Sequence, residues 1–190
     1  RGIGWRLWGR RRWLWRRWRI GTVVTMSIKR IAKHLLHTQG QVDRTFSRQT
    51  LNAIEQAIKA SETAHAGEIR FVVEGALDGV PLFKGQSVRE RAIDVFSQLR
   101  IWDTEHNNGV LIYLLLADRD VEIVADRGID AKVGAEEWEK ICRMMETDFK
   151  QGKFEDGVLS GILAVTQHLI KHFPASDADR NELPDRPVVL

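Results

Sequence analysis

Residues 110–117 read VLIYLLLA, an unbroken apolar run set between Asn108-Gly109 and Asp118-Arg119. A run this short, with no polar alternation, suits a strand covered on both faces. The rest of the chain must then supply two covering layers, which excludes a one-sided sheet.

The flanking sequence has the elements to do so. Asp118-Arg119 can turn the chain into VEIVAD, residues 121–126, giving a hairpin. Upstream, EIRFVVE at 68–74 alternates Ile69, Phe71 and Val73 with Arg70, Val72 and Glu74, a strand with one clearly apolar face. A helix is expected from an N-cap at Ser47 to about His65, with Leu51, Ile54 and Ile58 on one side and Gly67 ending it. Ser87 and Glu90 form a capping box ahead of Val88, Ala92, Val95, Phe96 and Leu99. Two further stripes follow: Trp138, Ile141, Cys142, Met145 and Phe149, then Val158, Ile162, Val165 and Leu169, with Gly152 between them. A short helix over 29–38, broken at Gly40, precedes them all, and GALDGVPLFKGQ at 75–86 reads as a long functional loop. This order predicts an α/β fold, a three-layer α/β/α sandwich around a small mixed sheet, without internal repeats.

Composition matters because the two ends of the chain differ. Residues 1–25 hold eight Arg, no acid and five of the seven Trp; without those Arg, the 29 basic residues become 21 against 26 acidic ones, net −5. The body from Met26 is therefore acidic, and no nucleic-acid partner is expected for residues 26–190. The Trp/Arg stretch has no apolar run of signal-peptide or membrane-spanning length, and neither helical nor strand period organises its Trp residues. A disordered nucleic-acid-binding arm is one reading of it. The other comes from the genetic code: GGC-GGT-GGC, encoding Gly-Gly-Gly, read two bases later yields CGG and TGG, Arg and Trp. On that reading residues 1–25 are an out-of-frame copy of a Gly/Phe/Ser-rich tract, and any peptide from them in mass spectra of the native protein would sink it. The expected organisation is an extension at 1–25, an N-terminal segment at 26–44, a domain at 45–173 and a disordered acidic, Pro-containing tail at 174–190. Without a recognisable signal or span, the body reads as cytoplasmic, and a single Cys allows no disulfide within the chain.

Chemistry concentrates in WDTEHNNG, residues 102–109, where Asp103, Glu105, Asn107 and Asn108 are hard oxygen ligands of the kind that suit Ca²⁺ or Mg²⁺. The loop is not an EF-hand: counted from Asp103, Gly falls at position 7 and Leu114 at position 12. The plainer alternative is a polar turn, with Asn108-Gly109 supplying left-handed backbone. His168 and His172, four apart on a helix, and His34 with His37 are weaker metal candidates. Cys142 and Trp138 lie on an apolar stripe and read as core. Neither phosphate-loop pattern occurs, and Ser87 and Ser160 lack a GxSxG setting, which argues against nucleotide binding and serine hydrolysis. No organic cofactor is expected.

GEIRFVVE, a helix ending before a Trp-Asp loop, NNGVLIYLLLADRDVEIVADRGID and FKQGKFEDGV together resemble the TPM domain over about residues 45–172. The resemblance implies the same α/β/α sandwich. It implies weak acid phosphatase activity in some relatives, divalent-metal binding in others, and maintenance of photosystems or membrane proteins in several. Carried over, the loop acids fall on Asp103 and Glu105, the Asn on Asn108 and the turn acid on Asp118. Val124 stands where the family has an acid, Asp130 keeps one, and Glu122 and Asp126 add carboxylates nearby. The expected metal set is thus Asp103, Glu105, Asn108, Asp118, Asp126 and Asp130. The expected role is binding to a protein partner through the acidic loop and the 75–86 loop, with an optional divalent cation. A metal-dependent phosphatase is the alternative.

Overall fold

The computed structural model describes residues 28–36, 39–176 and 180–190. The Trp/Arg stretch and His37 lie outside the described residues. Eight helices and four strands are described: α1 (Ile28–Leu36), α2 (Gln39–Thr45), α3 (Arg48–Glu62), β1 (Glu68–Glu74), α4 (Gly79–Phe83), α5 (Val88–Gln98), β2 (Gly109–Leu115), β3 (Asp120–Ala125), α6 (Arg127–Val133), α7 (Ala135–Lys150), α8 (Phe154–His172) and β4 (Val188–Val189).

The sheet order is β3-β2-β1-β4. β1 runs parallel to β2, with Glu68 opposite Gly109 and Glu74 opposite Leu115, while β3 returns antiparallel to β2. The sheet is therefore mixed, as the sequence predicts. Each residue of the 109–115 strand is buried. Val110, Ile112 and Leu114 pack with Ile69, Phe71 and Val73 against the stripes of α3, α7 and α8. Leu111, Tyr113 and Leu115 point the other way, toward Val88, Ala92, Val95 and Phe96 of α5. Period-two alternation thus feeds two cores from one strand, and its one polar side-chain group, the Tyr113 hydroxyl, is buried with a partner.

The caps act as the sequence suggests. The Ser47 side chain accepts from the Thr50 N–H, and Ser87 and Glu90 form the reciprocal box. Three differences carry physical reasons. The 75–86 loop contains α4, anchored by buried Leu82 and Leu77. α2 forms across Gly40, held by Val42 and Phe46 in the core instead of by helix propensity. β1 is buried on both faces, its polar face included, where alternation predicts a wet side.

The cover over that polar face comes from a segment expected to be disordered. Residues 180–190 return to the sheet: Leu183 and Val188 pack against the α5 core, and Val188 and Val189 pair in parallel with Val72 and Val73. Hydrogen bonds from Leu190 N–H to the Val73 carbonyl and from Gly75 N–H to the Leu190 carbonyl extend the pairing. Tertiary pairing overrides a composition that has few apolar residues to offer.

Candidate functional site

Because β1 and β2 are parallel, the loop entering β2 and the loop leaving β1 lie at opposite ends of the sheet. Seven strand residues separate them by roughly 20 Å. The candidate site therefore divides in two.

At the β2 entry, the 102–109 loop is fastened to α6. The Asn107 carbonyl accepts from the N–H groups of Gly128 (2.9 Å) and Ile129 (3.2 Å), and Arg127 Nε donates to Asn107 Oδ1 at 2.8 Å. Asp126 N-caps α6, its Oδ1 accepting from the Arg127 N–H at 2.7 Å, and its Oδ2 is buried without a partner. Asn107 carries the left-handed backbone that the sequence suggests for Asn108-Gly109. Gly109 is required for another reason: a Cβ there would collide with the Ile101 carbonyl. Asn108 is buried, its Nδ2 donating to the Ala66 carbonyl at 2.7 Å and its N–H to Thr104 Oγ1 at 3.1 Å. Asp103 and Glu105 point their side chains to solvent, and Asp130 Oδ1 accepts from Trp138 Nε1 at 3.1 Å.

Five of the six expected metal residues thus gather around this end, and the sixth does not join them. Asp118 sits in the β2–β3 turn at the far end, where Arg30 Nε reaches its Oδ2 at 3.0 Å and Lys33 Nζ its Oδ1 at 3.5 Å. His34 Nε2 lies 3.1 Å from the same Oδ2, while the Leu77 N–H donates to His34 Nδ1 at 2.9 Å. Since Nδ1 accepts, the proton is on Nε2, which donates to Asp118. Burial opposes ionisation of Asp118, but the hydrogen bond from Arg30 and the neighbouring His34 hold its carboxyl below the ordinary value. Both His34 nitrogens are committed, which removes it as a metal candidate. Among the described residues, no three His, Cys, Asp or Glu side chains are grouped to hold a metal ion. Asn108 Nδ2 and Asp130 Oδ1 make hydrogen bonds within the fold, and Asp118 stands a sheet's length from the other five expected residues.

Of the other candidates, Cys142 is core and His168 is half-buried at its edge. Cys142 is buried and its thiol is pushed up to about 12, chiefly by burial, which leaves no thiolate nucleophile. His168 packs edge-on to Trp138, ring centres 5.6 Å apart.

Sequence reasoning missed a second anchored group at the Asp118 end. Arg91 donates to both oxygens of Glu74, at 2.8 and 3.0 Å, and the Tyr113 hydroxyl donates to Glu74 Oε2 at 2.7 Å. Burial, then the Glu74 charge, raises Tyr113, and the Glu74 hydrogen bond raises Arg91, so both stay protonated. The signal was available in Glu74 standing at a polar strand position four residues after Arg70. At the same end α4, in the loop leaving β1, presents Val80, 61% exposed, and Phe83, 57% exposed, and α1 presents Leu35 beside buried His34. No helix among the described residues is long and apolar enough to cross a membrane.

The comparisons with known proteins agree with this architecture. The TPM domain model matches residues 41–168. The BA42 protein of the psychrophilic bacterium Bizionia argentinensis, solved by NMR, is 33% identical, with a TM-score of 0.67 over 76% of this chain and 94% of its own. The N-terminal domain of a protein from P. gingivalis, also an NMR structure, shares the fold at 21% identity, with a TM-score of 0.55 over 68% of this chain and 82% of its own. No curated protein matches. With the family model spanning most of the chain and a solved relative sharing a third of its residues, the chain belongs to the TPM domain family.

Proposed function

We propose that this TPM domain is a binding module that docks an apolar segment of a protein partner on α4 and the adjoining end of α1. The observation that carries this reading is the exposure of Val80 and Phe83 on a helix whose Leu82 is buried beneath them. The helix is held from below, so these side chains gain no core packing and stand ready to lose water to a partner. The base is rigid: Glu74, Arg91 and Tyr113 fix the strand ends, and Arg30, His34 and Asp118 fix α1. A pre-organised surface spends less of its interaction energy on ordering itself. The acidic loop lies at the other end of the sheet and is not part of this surface.

A photo-crosslinking residue placed at Phe83 in cells that make the protein tests the reading. An adduct that forms at 83, is absent at the exposed control position Lys59, and disappears on Val80→Asp supports it. No adduct at 83, or an equal one at 59, refutes it. Phe83→Asp is expected to change the melting temperature little, since more than half of that residue is exposed.

A second reading is supported by the buried, partnerless Oδ2 of Asp126, an oxygen that a cation would satisfy. Asp103 and Glu105 would have to turn inward from solvent to complete the set, with Ca²⁺ or Mg²⁺ as the ion and weak phosphatase activity as its consequence. Melting with millimolar-range ion tests it: a rise lost in Asp103→Ala and Asp126→Asn supports a site, and hydrolysis of p-nitrophenyl phosphate abolished by Asp103→Ala is needed for an enzyme. No rise removes both.

A further inference from the structure

The end of the sheet where β1 begins buries an unusual amount of charge. Glu68 is 4% exposed and Arg70 6%, both on the face covered by residues 180–190. Glu68 Oε1 accepts from the Glu182 N–H at 2.9 Å and its Oε2 from the Leu183 N–H at 3.2 Å. From the last turn of α3, Glu62 Oε1 accepts from the Ile69 N–H at 3.2 Å, and Glu62 Oε2 is buried with no partner. Asp185, from the covering segment, lies close enough to act on Glu62, Glu68 and Arg70. Against these carboxylates stands Arg70, whose Nη1 is itself buried without a partner. His65 in the α3–β1 turn is buried, accepts from the Gly67 N–H through Nδ1 and is held toward its neutral form by burial, so it supplies no compensating charge.

The covering segment is lightly attached. Its anchors are two N–H donors to Glu68, the half-buried Leu183 and Val188, the buried Pro187, and a two-residue strand on the edge of β1 extended by the Leu190 bonds to Val73 and Gly75. Glu182 extends it across to the 102–109 loop, its carboxylate accepting the Glu105 N–H at 3.0 Å.

We propose that residues 180–190 are a proton-locked strap: protonated Glu62 leaves the strap seated on β1, and ionised Glu62 lifts it and bares the strand edge. An added charge on Glu62 faces Glu68 and Asp185 in a site with one guanidinium, and like charges at such range destabilise whichever element is held most weakly. The strap is that element, because α3 and β1 are fixed by Ile54, Ile58, Phe71 and Val73 in the core. Burial, then Glu68 and Asp185, push Glu62 up to about 8, so the lock changes state in mildly alkaline solution. The sign follows: with the strap seated the Glu62 proton is held tightly, and with the strap off the carboxyl is hydrated and loses it more readily. The hold is complete at low pH and is lost as pH rises through about 8.

Amide hydrogen exchange on the full chain, corrected for intrinsic rates and compared at about pH 6 and about pH 9, tests this. The expected result is a fall of at least about tenfold in the protection of the Glu182, Leu183 and Leu190 amides, the equivalent of one pKa unit, with Ile112 in β2 unchanged. Glu62→Gln is expected to keep the three amides protected at both pH values. Asp185→Asn, which removes one like charge, is expected to shrink the fall, and it serves where Glu62→Gln disturbs α3. Flat protection in the unmodified chain overturns the proposal. So does a fall that persists in both variants, or one shared by Ile112, which is opening of the whole domain.

Discussion

Replacing His34 by Ala strands the buried Leu77 N–H, whose acceptor is His34 Nδ1, and takes one donor from Asp118. A buried donor left unpaired costs about 1–3 kcal/mol, so urea unfolding of His34→Ala is expected to show a loss in that range. Asp118 adds a pH signature. Its folded-state carboxyl is held below the ordinary value, so its contribution is present above that value and lost as pH falls through the lower folded-state one. Asp118→Asn is expected to flatten the acid limb of the stability curve measured by chemical denaturation. Glu74 gives a sharper contrast. Glu74→Gln alone leaves Arg91 half of its bidentate partner in a buried setting and is expected to cost about 3 kcal/mol, whereas Glu74→Gln with Arg91→Met removes both charges and should recover part of the loss. Failure of the double variant to recover anything would refute this account. The His34 partnerships are not legible in the sequence, because a hydrogen bond between residues 43 or 84 apart leaves no periodic trace.

Among elements, those with strong periodicity or a cap were readable and those held by packing were not. The apolar run, the capping box at Ser87 and the stripes of α7 and α8 announced themselves. α2 crosses a Gly and α6 follows a strand within two residues, and both are specified by what they bury. α6 explains why the 102–109 loop takes its shape: the Gly128 N–H caps the Asn107 carbonyl, and a Cβ at 128 would stand 2.5 Å from that oxygen and 2.7 Å from the His106 carbonyl. Gly128→Ala is therefore expected to shift backbone rather than a side chain. A cost of about 1–3 kcal/mol is expected in thermal or urea unfolding, with altered amide chemical shifts confined to residues 103–109. Shifts spread across α7 and α8 would refute the assignment. The candidate site was half legible: the sequence located the acidic loop, but parallel pairing, which no local pattern fixes, placed Asp118 and the 75–86 loop at the other end of the sheet.

At the scale of the molecule, one sheet shared by two cores couples them, since residues of β2 belong alternately to each. Unfolding of residues 28–176 is accordingly expected to be a single transition, with far-ultraviolet circular dichroism and exchange of the β2 amides reporting one midpoint. Two separated midpoints would show that the faces fold independently. The fold class was readable because a doubly buried strand demands two covering layers. The fourth strand was not, because its two valines carry no pattern of their own and gain meaning only against Val72 and Val73. That pairing also sets an order of events during synthesis. Glu182 follows Glu68 by 114 residues, and at about 5–20 residues per second the ribosome delivers it on the order of 10 s later. For that interval a nascent chain that already has β1 offers a bare strand edge to the cell, a handhold for a chaperone or for a neighbouring nascent copy, until residues 180–190 arrive to close it.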